Sequence, residues 1–203
     1  MLIISTKYIP KSEQHAHAHS LLSCALREYG IDYVSGATPM VYGEQGKPAL
    51  AEHPGVHFNI SHADGISAVV VSENECGIDC EPVRRHNPRV AERVCSESEQ
   101  AMLKAASESE RDLLFFRLWT LKEAYVKALG KGLSFPMREA EFAFDDDRIK
   151  TEISGCMFSQ YIIDNELVAA VCVFLKTEEL NRLCYINAPE NKLIKKKYTN
   201  SLA

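Results

Sequence analysis

The sequence predicts an α+β fold of two similar lobes, each an antiparallel sheet with a packed long helix. Three observations predict it. Helix-like stretches near 12–29 and 111–129 are each accompanied by short apolar runs of strand character. The runs after each helix read as an antiparallel meander in the first half and as two strand pairs in the second. The helix-then-strands order occurs twice, and the two occurrences meet near residue 100. A chain of 203 residues is long enough for one large domain or two small lobes. The expected division is an N-terminal lobe over 1–100, a C-terminal lobe over 101–189 and a flexible basic tail over 190–203.

Leu2 to Ile4 reads as a first strand. Ser12 is a candidate cap for a helix reaching Tyr29, with Leu22, Ala25, Leu26 and Tyr29 on one face and Gly30 just past its end. Residues 35–55 hold four glycines and three prolines and read as a long punctuated loop, the kind that tends to carry function. Val56–Ile60, Ile66–Ser72 and about Cys76–Glu81 read as three strands of an antiparallel meander. Pro82 to Pro88 is a loop. Ser96-Glu97-Ser98-Glu99 fits the capping box and opens a short helix. The long helix from about Arg111 ends at Leu129, before Gly130 and Gly132. Two strand pairs follow, Glu141–Phe144 with Ile149–Ile153 and Met157–Ile163 with Val168–Leu175. The tail carries Lys192, Lys195, Lys196 and Lys197.

Composition excludes several classes. Hydrophobic residues make up 46% and charged residues 25%, an ordinary globular balance. The net charge of −5 argues against a general nucleic-acid binder. No apolar run is long enough to span a bilayer, and the N-terminus has no signal-peptide pattern. The seven cysteines are odd in number and form no C-x-x-C pair, so the expectation is reduced thiols in a cytoplasmic protein.

Two stretches carry chemistry. In Gly77-Ile78-Asp79-Cys80-Glu81 a strand would send Asp79 and Glu81 to one face and Ile78 and Cys80 to the other. Two adjacent acids either lie solvated or share a cation; carboxylate oxygens are the hard ligands that Mg²⁺ takes. In Trp119-Thr120-Leu121-Lys122-Glu123-Ala124-Tyr125-Val126-Lys127, Leu114, Leu118, Leu121 and Tyr125 form the core stripe. Glu123 and Lys127, four apart, lie roughly opposite it, either as an exposed ion pair or as site residues. Together, Asp79, Glu81 and Glu123 beside Lys122 and Lys127 suit a metal-bound pyrophosphate. Gly46-Lys47-Pro48 puts a lysine in the punctuated loop, and Phe58-Asn59-Ile60-Ser61-His62 ends a strand with a hydroxyl and an imidazole. Of His15, His17 and His19, only His15 and His19 share a helical face, which is either solvated or turned to phosphate.

These motifs, with Trp119-x-x-Lys122-Glu123-Ala124-x-x-Lys127-x-x-Gly130-x-Gly132-Leu133, run in order from about residue 43 to 133. The set resembles the phosphopantetheinyl transferases, specifically the surfactin-synthetase-activating type, and within it the compact bacterial members. The resemblance implies two α+β lobes in a pseudo-twofold arrangement with coenzyme A bound between them. It implies Mg²⁺-dependent transfer of the phosphopantetheine arm from coenzyme A to a serine of an apo acyl or peptidyl carrier protein, with release of adenosine 3′,5′-bisphosphate by a monomer. Carried over by position, Asp79, Glu81 and Glu123 match the metal-binding acids. Glu123 also matches the proposed base, and Lys127 matches a lysine on the pyrophosphate, so Glu123, Lys127 and Asp79 are the catalytic set. Lys47, Ser61 and His62 match coenzyme A contacts, and Lys122 belongs to the motif.

The sequence departs from the family at three points. Ala63 follows the Ser-His pair where the family often has serine. Cys80 takes the place of a branched aliphatic. His19 stands where an arginine often meets the coenzyme A phosphates, and a neutral imidazole grips phosphate less well than guanidinium. Without residues 190–203, which carry four lysines and one glutamate, 19 cations face 27 anions. An acidic carrier would therefore meet a local patch: Arg84, Arg85 and Arg89, the tail, or apolar residues within 93–118. A coenzyme A binding module without turnover and a metal-dependent phosphoanhydride hydrolase are the competing readings.

Overall fold

The structure, a computed structural model, describes residues 1–5, 8–146, 148–176 and 193–194. In chain order the elements are β1 (Leu2–Ile4), α1 (Lys11–Arg27), β2 (Met40–Tyr42), β3 (Pro48–Leu50), β4 (His57–Ala63), β5 (Ile66–Ser72) and β6 (Cys76–Pro82). Then come α2 (Pro88–Val94), α3 (Glu97–Ala105), α4 (Glu108–Leu129), β7 (Ala143–Asp145), β8 (Arg148–Lys150), β9 (Cys156–Ile163), β10 (Leu167–Phe174) and β11 (Leu193–Ile194). Two turns of 3₁₀ helix, Gly132–Ser134 and Met137–Glu139, follow α4.

Two sheets form the centre, one in the order β1-β5-β4 and the other β11-β9-β10-β6. Each strand pair is antiparallel except β11 with β9. Alternation along the strands builds four layers. Val69 and Val71 of β5 pack with Leu22 and Leu26 of α1. Ala68 and Val70 point the other way, into a shared core with Ile78 and Cys80 of β6 and Ala169 and Val171 of β10. Val168, Ala170 and Cys172 of β10 turn to Leu118, Leu121 and Ala124 of α4. The central strands are buried on both faces, which is why Ala68–Val71 is an unbroken apolar run. The mixed α+β class with a helix covering each sheet agrees with the sequence reading.

Several elements differ from expectation. The three-strand meander does not form. β6 leaves the first sheet and pairs with β10, from Leu167 opposite Pro82 to Val173 opposite Cys76. It still runs beside β4, but two side chains replace the backbone ladder there. Ile78 N donates to Asn59 Oδ1 at 2.9 Å and Cys80 N to Ser61 Oγ at 3.3 Å. The punctuated loop holds a small hairpin, β2 with β3, in which Gly43 N donates to Lys47 O at 2.9 Å. α1 starts after Pro10 rather than at Ser12, because the fixed φ of Pro10 (−54°) sets the entry. α4 starts three residues early, after Ser107. Its C-terminus is as read: Gly130 takes φ +66° to close the helix. Ser96 and Glu99 form the expected capping box. The expected frayed tail lies outside the described residues apart from Leu193–Ile194. The six described cysteines other than Cys184 are free thiols. Among the described residues no helix is long and apolar enough to cross a membrane.

Candidate functional site

Gly77 decides how closely β6 approaches α4. A Cβ there would lie 2.2 Å from Ala124 O and 2.3 Å from Ala128 N. With glycine, the strand lies against the helix backbone, and Asp79, two residues on along the same face, comes beside the last turns of α4. This is the physical reason for glycine at the head of the Gly-Ile-Asp-Cys-Glu stretch, and the sequence reading gave it no role.

Asp79, Glu81, Glu123 and Lys127 line one cavity of about 420 Å³. Ser61 and His62 from β4, His15 and His19 from α1, and Trp119 from α4 complete much of its wall. Lys127 Nζ donates to Asp79 Oδ1 at 2.7 Å and to Ser61 Oγ at 3.2 Å. Ser61 Oγ in turn donates to Asp79 Oδ1 at 2.9 Å. Both groups on Asp79 thus approach one oxygen. Asp79 Oδ2 is buried and has no hydrogen-bond partner.

The electrostatics follow from this crowding. Burial first, then the negative charge of Asp79 and Glu81, pushes the Glu123 carboxyl above the ordinary glutamate value, against the pull of Lys127. Burial also raises Glu81, with Asp79 adding to it, while a hydrogen bond from Arg84 lowers it. That bond, Arg84 Nη1 to Glu81 Oε2, is 2.8 Å long. Arg84 also sits 4.9 Å from the centroid of the Phe116 ring. Burial acts against the Lys127 ammonium, but the charge and hydrogen bond of Asp79 outweigh it and hold its pKa above the ordinary lysine value.

The donor set fits a hard divalent cation. Three carboxylates share a cavity, and one of them, that of Asp79, keeps its Oδ2 buried as an acceptor without a donor. Among the described residues the acids are not gathered into a closed cage of three His, Cys, Asp or Glu ligands. The Lys127 ammonium is paired with Asp79 instead.

The expected residues are sorted as follows. Asp79, Glu81, Glu123, Lys127, Ser61, His62 and His19 meet at the cavity. Of the two readings of Glu123 and Lys127, the exposed ion pair does not form, since Lys127 turns to Asp79. Ser61 is a brace: it holds Asp79 and accepts from β6. Lys122 is a correction. Its side chain is fully buried and points away from the cavity, 2.8 Å from Glu99 Oε2, donating also to Met137 O and Ala140 O. Being one residue from Glu123, it leaves α4 in another direction, and the capping-box acid of α3 takes its charge. Lys47 is a second correction. It lines a separate depression of about 650 Å³ with Tyr42, Gly130 and Lys131, and donates to Glu75 Oε2 and Ala128 O. Sequence reading missed Asn59 as a strand bridge and Arg84 as the partner of Glu81. The buried polar Asn59 inside an apolar strand was the available signal for the first.

The family model of the 4′-phosphopantetheinyl transferase superfamily matches residues 75–172. A 4′-phosphopantetheinyl transferase of Bacillus subtilis is 31% identical over 155 residues, 74% of this chain and 68% of that one. The 4′-phosphopantetheinyl transferase AcpT of Escherichia coli is 38% identical over 124 residues, 60% of each chain. The crystal structure of a holo-[acyl-carrier-protein] synthase of Thermotoga maritima aligns over 50% of this chain and 63% of that one, with 26% identity and a TM-score of 0.42. The chain spans between 60% and 68% of the length of the Bacillus subtilis relatives.

Proposed function

The chain belongs to the 4′-phosphopantetheinyl transferase superfamily, and we propose from that premise that it transfers the phosphopantetheine arm of coenzyme A to a serine of an apo acyl or peptidyl carrier protein. Adenosine 3′,5′-bisphosphate is the other product. The observation that carries this reading is the convergence of Asp79, Glu81, Glu123 and Lys127 on one cavity, with Asp79 Oδ2 buried and unpartnered.

Asp79, Glu81 and Glu123 are the residues that would hold Mg²⁺. The ion, when bound, supplies charge neutralisation on the diphosphate. The chain does the rest. Lys127, kept protonated by Asp79, puts a positive charge where the diphosphate lies. Ser61 fixes the Asp79 carboxylate through Oδ1, leaving Oδ2 for a ligand. The Glu123 carboxylate lines the cavity and accepts no hydrogen bond from a described residue, which leaves it open to take the proton of the incoming serine hydroxyl. His62 and His19 contact the phosphate-bearing end of coenzyme A. Positioning and charge supply most of the rate, as in other phosphoryl transfers.

Incubation with coenzyme A, Mg²⁺ and an apo carrier tests the reading by mass spectrometry. A gain of one phosphopantetheine arm on the carrier serine is the expected result. Release of adenosine 3′,5′-bisphosphate without a carrier identifies a hydrolase, and binding without either product identifies a binding module. We also place the protein in the cytoplasm as a monomer, which sedimentation of the purified chain checks for the second point.

A further inference from the structure

The two acids of β6 are held in the same way by different parts of the chain. Asp79 gives its Oδ1 to Ser61 of β4 and Lys127 of α4, and its Oδ2 stays buried without a donor. Glu81 gives its Oε2 to Arg84, whose Nη1 donates at 2.8 Å, and its Oε1 accepts from no described residue. Each carboxylate therefore has one oxygen engaged and one left over.

Arg84 is itself placed from several sides. The same Nη1 donates to Pro82 O at 3.1 Å and lies 3.7 Å from Asp64 Oδ2. Asp64 stands in the turn Asp64-Gly65 between β4 and β5. The guanidinium carbon is 4.9 Å from the centroid of the Phe116 ring, and an aromatic face attracts a planar cation. The segment after β6 is thus tied to the first hairpin and to α4 at the residue that meets Glu81. The Arg84 side chain is 49% exposed, so its pair with Glu81 adds little to stability. What the contact supplies is orientation: an oxygen committed to a guanidinium is not offered to a second cation. Arg84 is not among the residues that line the cavity, so it acts there through Glu81.

That commitment bears on which ion fits. Ca²⁺ is large, takes about six to eight oxygens and accepts both oxygens of one carboxylate. Mg²⁺ is small and octahedral, and combines one or two carboxylates with phosphate oxygens and water. For Glu81 to chelate Ca²⁺ it needs Oε2 as well as Oε1, and Arg84 holds Oε2. Resting on the reading of the cavity as a divalent-metal site for the coenzyme A diphosphate, we propose that Arg84 is a positioning residue that makes Glu81 a one-oxygen ligand and so biases the site toward Mg²⁺ over Ca²⁺. Ser61 and Lys127 impose the same limit on Asp79.

Electron paramagnetic resonance of Mn²⁺ on the intact protein with coenzyme A present, titrated with Mg²⁺ or Ca²⁺ as competitor, gives the ratio of the two affinities. Coenzyme A with Mn²⁺ but no protein supplies the baseline. In the unaltered chain Mg²⁺ displaces Mn²⁺ at the lower concentration. Arg84→Met removes the donor, and the Mg²⁺ preference should fall about tenfold, the low end of the usual loss when a group holding a metal ligand is removed. Arg84→Lys keeps a charge and a donor and retains most of the preference. Both variants melt with the unaltered chain, which separates this role from one in stability. An unchanged ratio in Arg84→Met, or equal strengthening of both ions by loss of a nearby charge, overturns the proposal and leaves the transferase reading standing. So does an unaltered chain that prefers Ca²⁺. A folded chain that holds no Mn²⁺ beyond the baseline overturns the metal reading as well.

Discussion

Two ion pairs of α4 stand five residues apart, Lys122–Glu99 fully buried and Lys127–Asp79 with its lysine partly exposed. In Lys122–Glu99 each group is saturated. The ammonium has Glu99 Oε2, Met137 O and Ala140 O for its three protons, and Glu99 accepts from Ser96 N and Phe142 N as well. In Lys127–Asp79 the acid keeps one oxygen without a donor, at the wall of a cavity. The first pair has nothing left to offer a ligand, so it holds α3, α4 and the segment 137–142 together. The second is incomplete by itself and is completed by what binds. Motif membership did not distinguish the two lysines; their partners do.

The comparison predicts separable failures. Lys122→Ala leaves Glu99 charged and unpaired in the core, and should cost about 3–5 kcal/mol in denaturant unfolding. A milder loss would mean that the saturated pair is dispensable. Gly77→Ala pushes a methyl into the α4 backbone and should cost about 3 kcal/mol, with turnover falling in step because β6 moves off the helix. If Gly77→Ala is stable and fully active, close approach does not position Asp79. Asp79→Asn keeps the side-chain shape and should lower transfer about hundredfold, roughly 2.7 kcal/mol of barrier, while the fold holds by circular dichroism and melting. Wild-type turnover in that variant would contradict the assignment of the incomplete pair.

The smallest expected effect concerns pH. Glu123 has a raised pKa when folded, so the folded state binds its proton more tightly than the unfolded state does. Its contribution to stability therefore declines as pH rises above the ordinary glutamate value and through its raised one. In metal-free protein the unaltered chain should lose stability over that window relative to Glu123→Gln, and denaturant midpoints across pH 4 to 7 measure the difference.

Much of this was legible in the residues. The alternation at Ile78-Asp79-Cys80-Glu81 put the acids on one face, and the i, i+4 spacing put Glu123 and Lys127 together. Long-range facts were not legible. The transfer of β6 to the second sheet depends on β10, some ninety residues later, and local pattern carries no information on that choice. Lys122 was misplaced because its partner is the capping-box glutamate of another helix. The hairpin at 40–50 was hidden by prolines and glycines that also mark loops. Ser61 and His62 read as a polar strand end, and only the neighbouring strand shows what Ser61 and Asn59 accept.

The seam between β4 and β6 has a consequence for the width of the cavity. His62 stands on β4 and the acids Asp79 and Glu81 on β6, and where ordinary neighbouring strands are riveted by a row of equivalent amide bonds, this joint is pinned by an amide and a hydroxyl. Exchanging Asn59 or Ser61 resets the gap between the two strands one pin at a time, with both flanking sheets left whole.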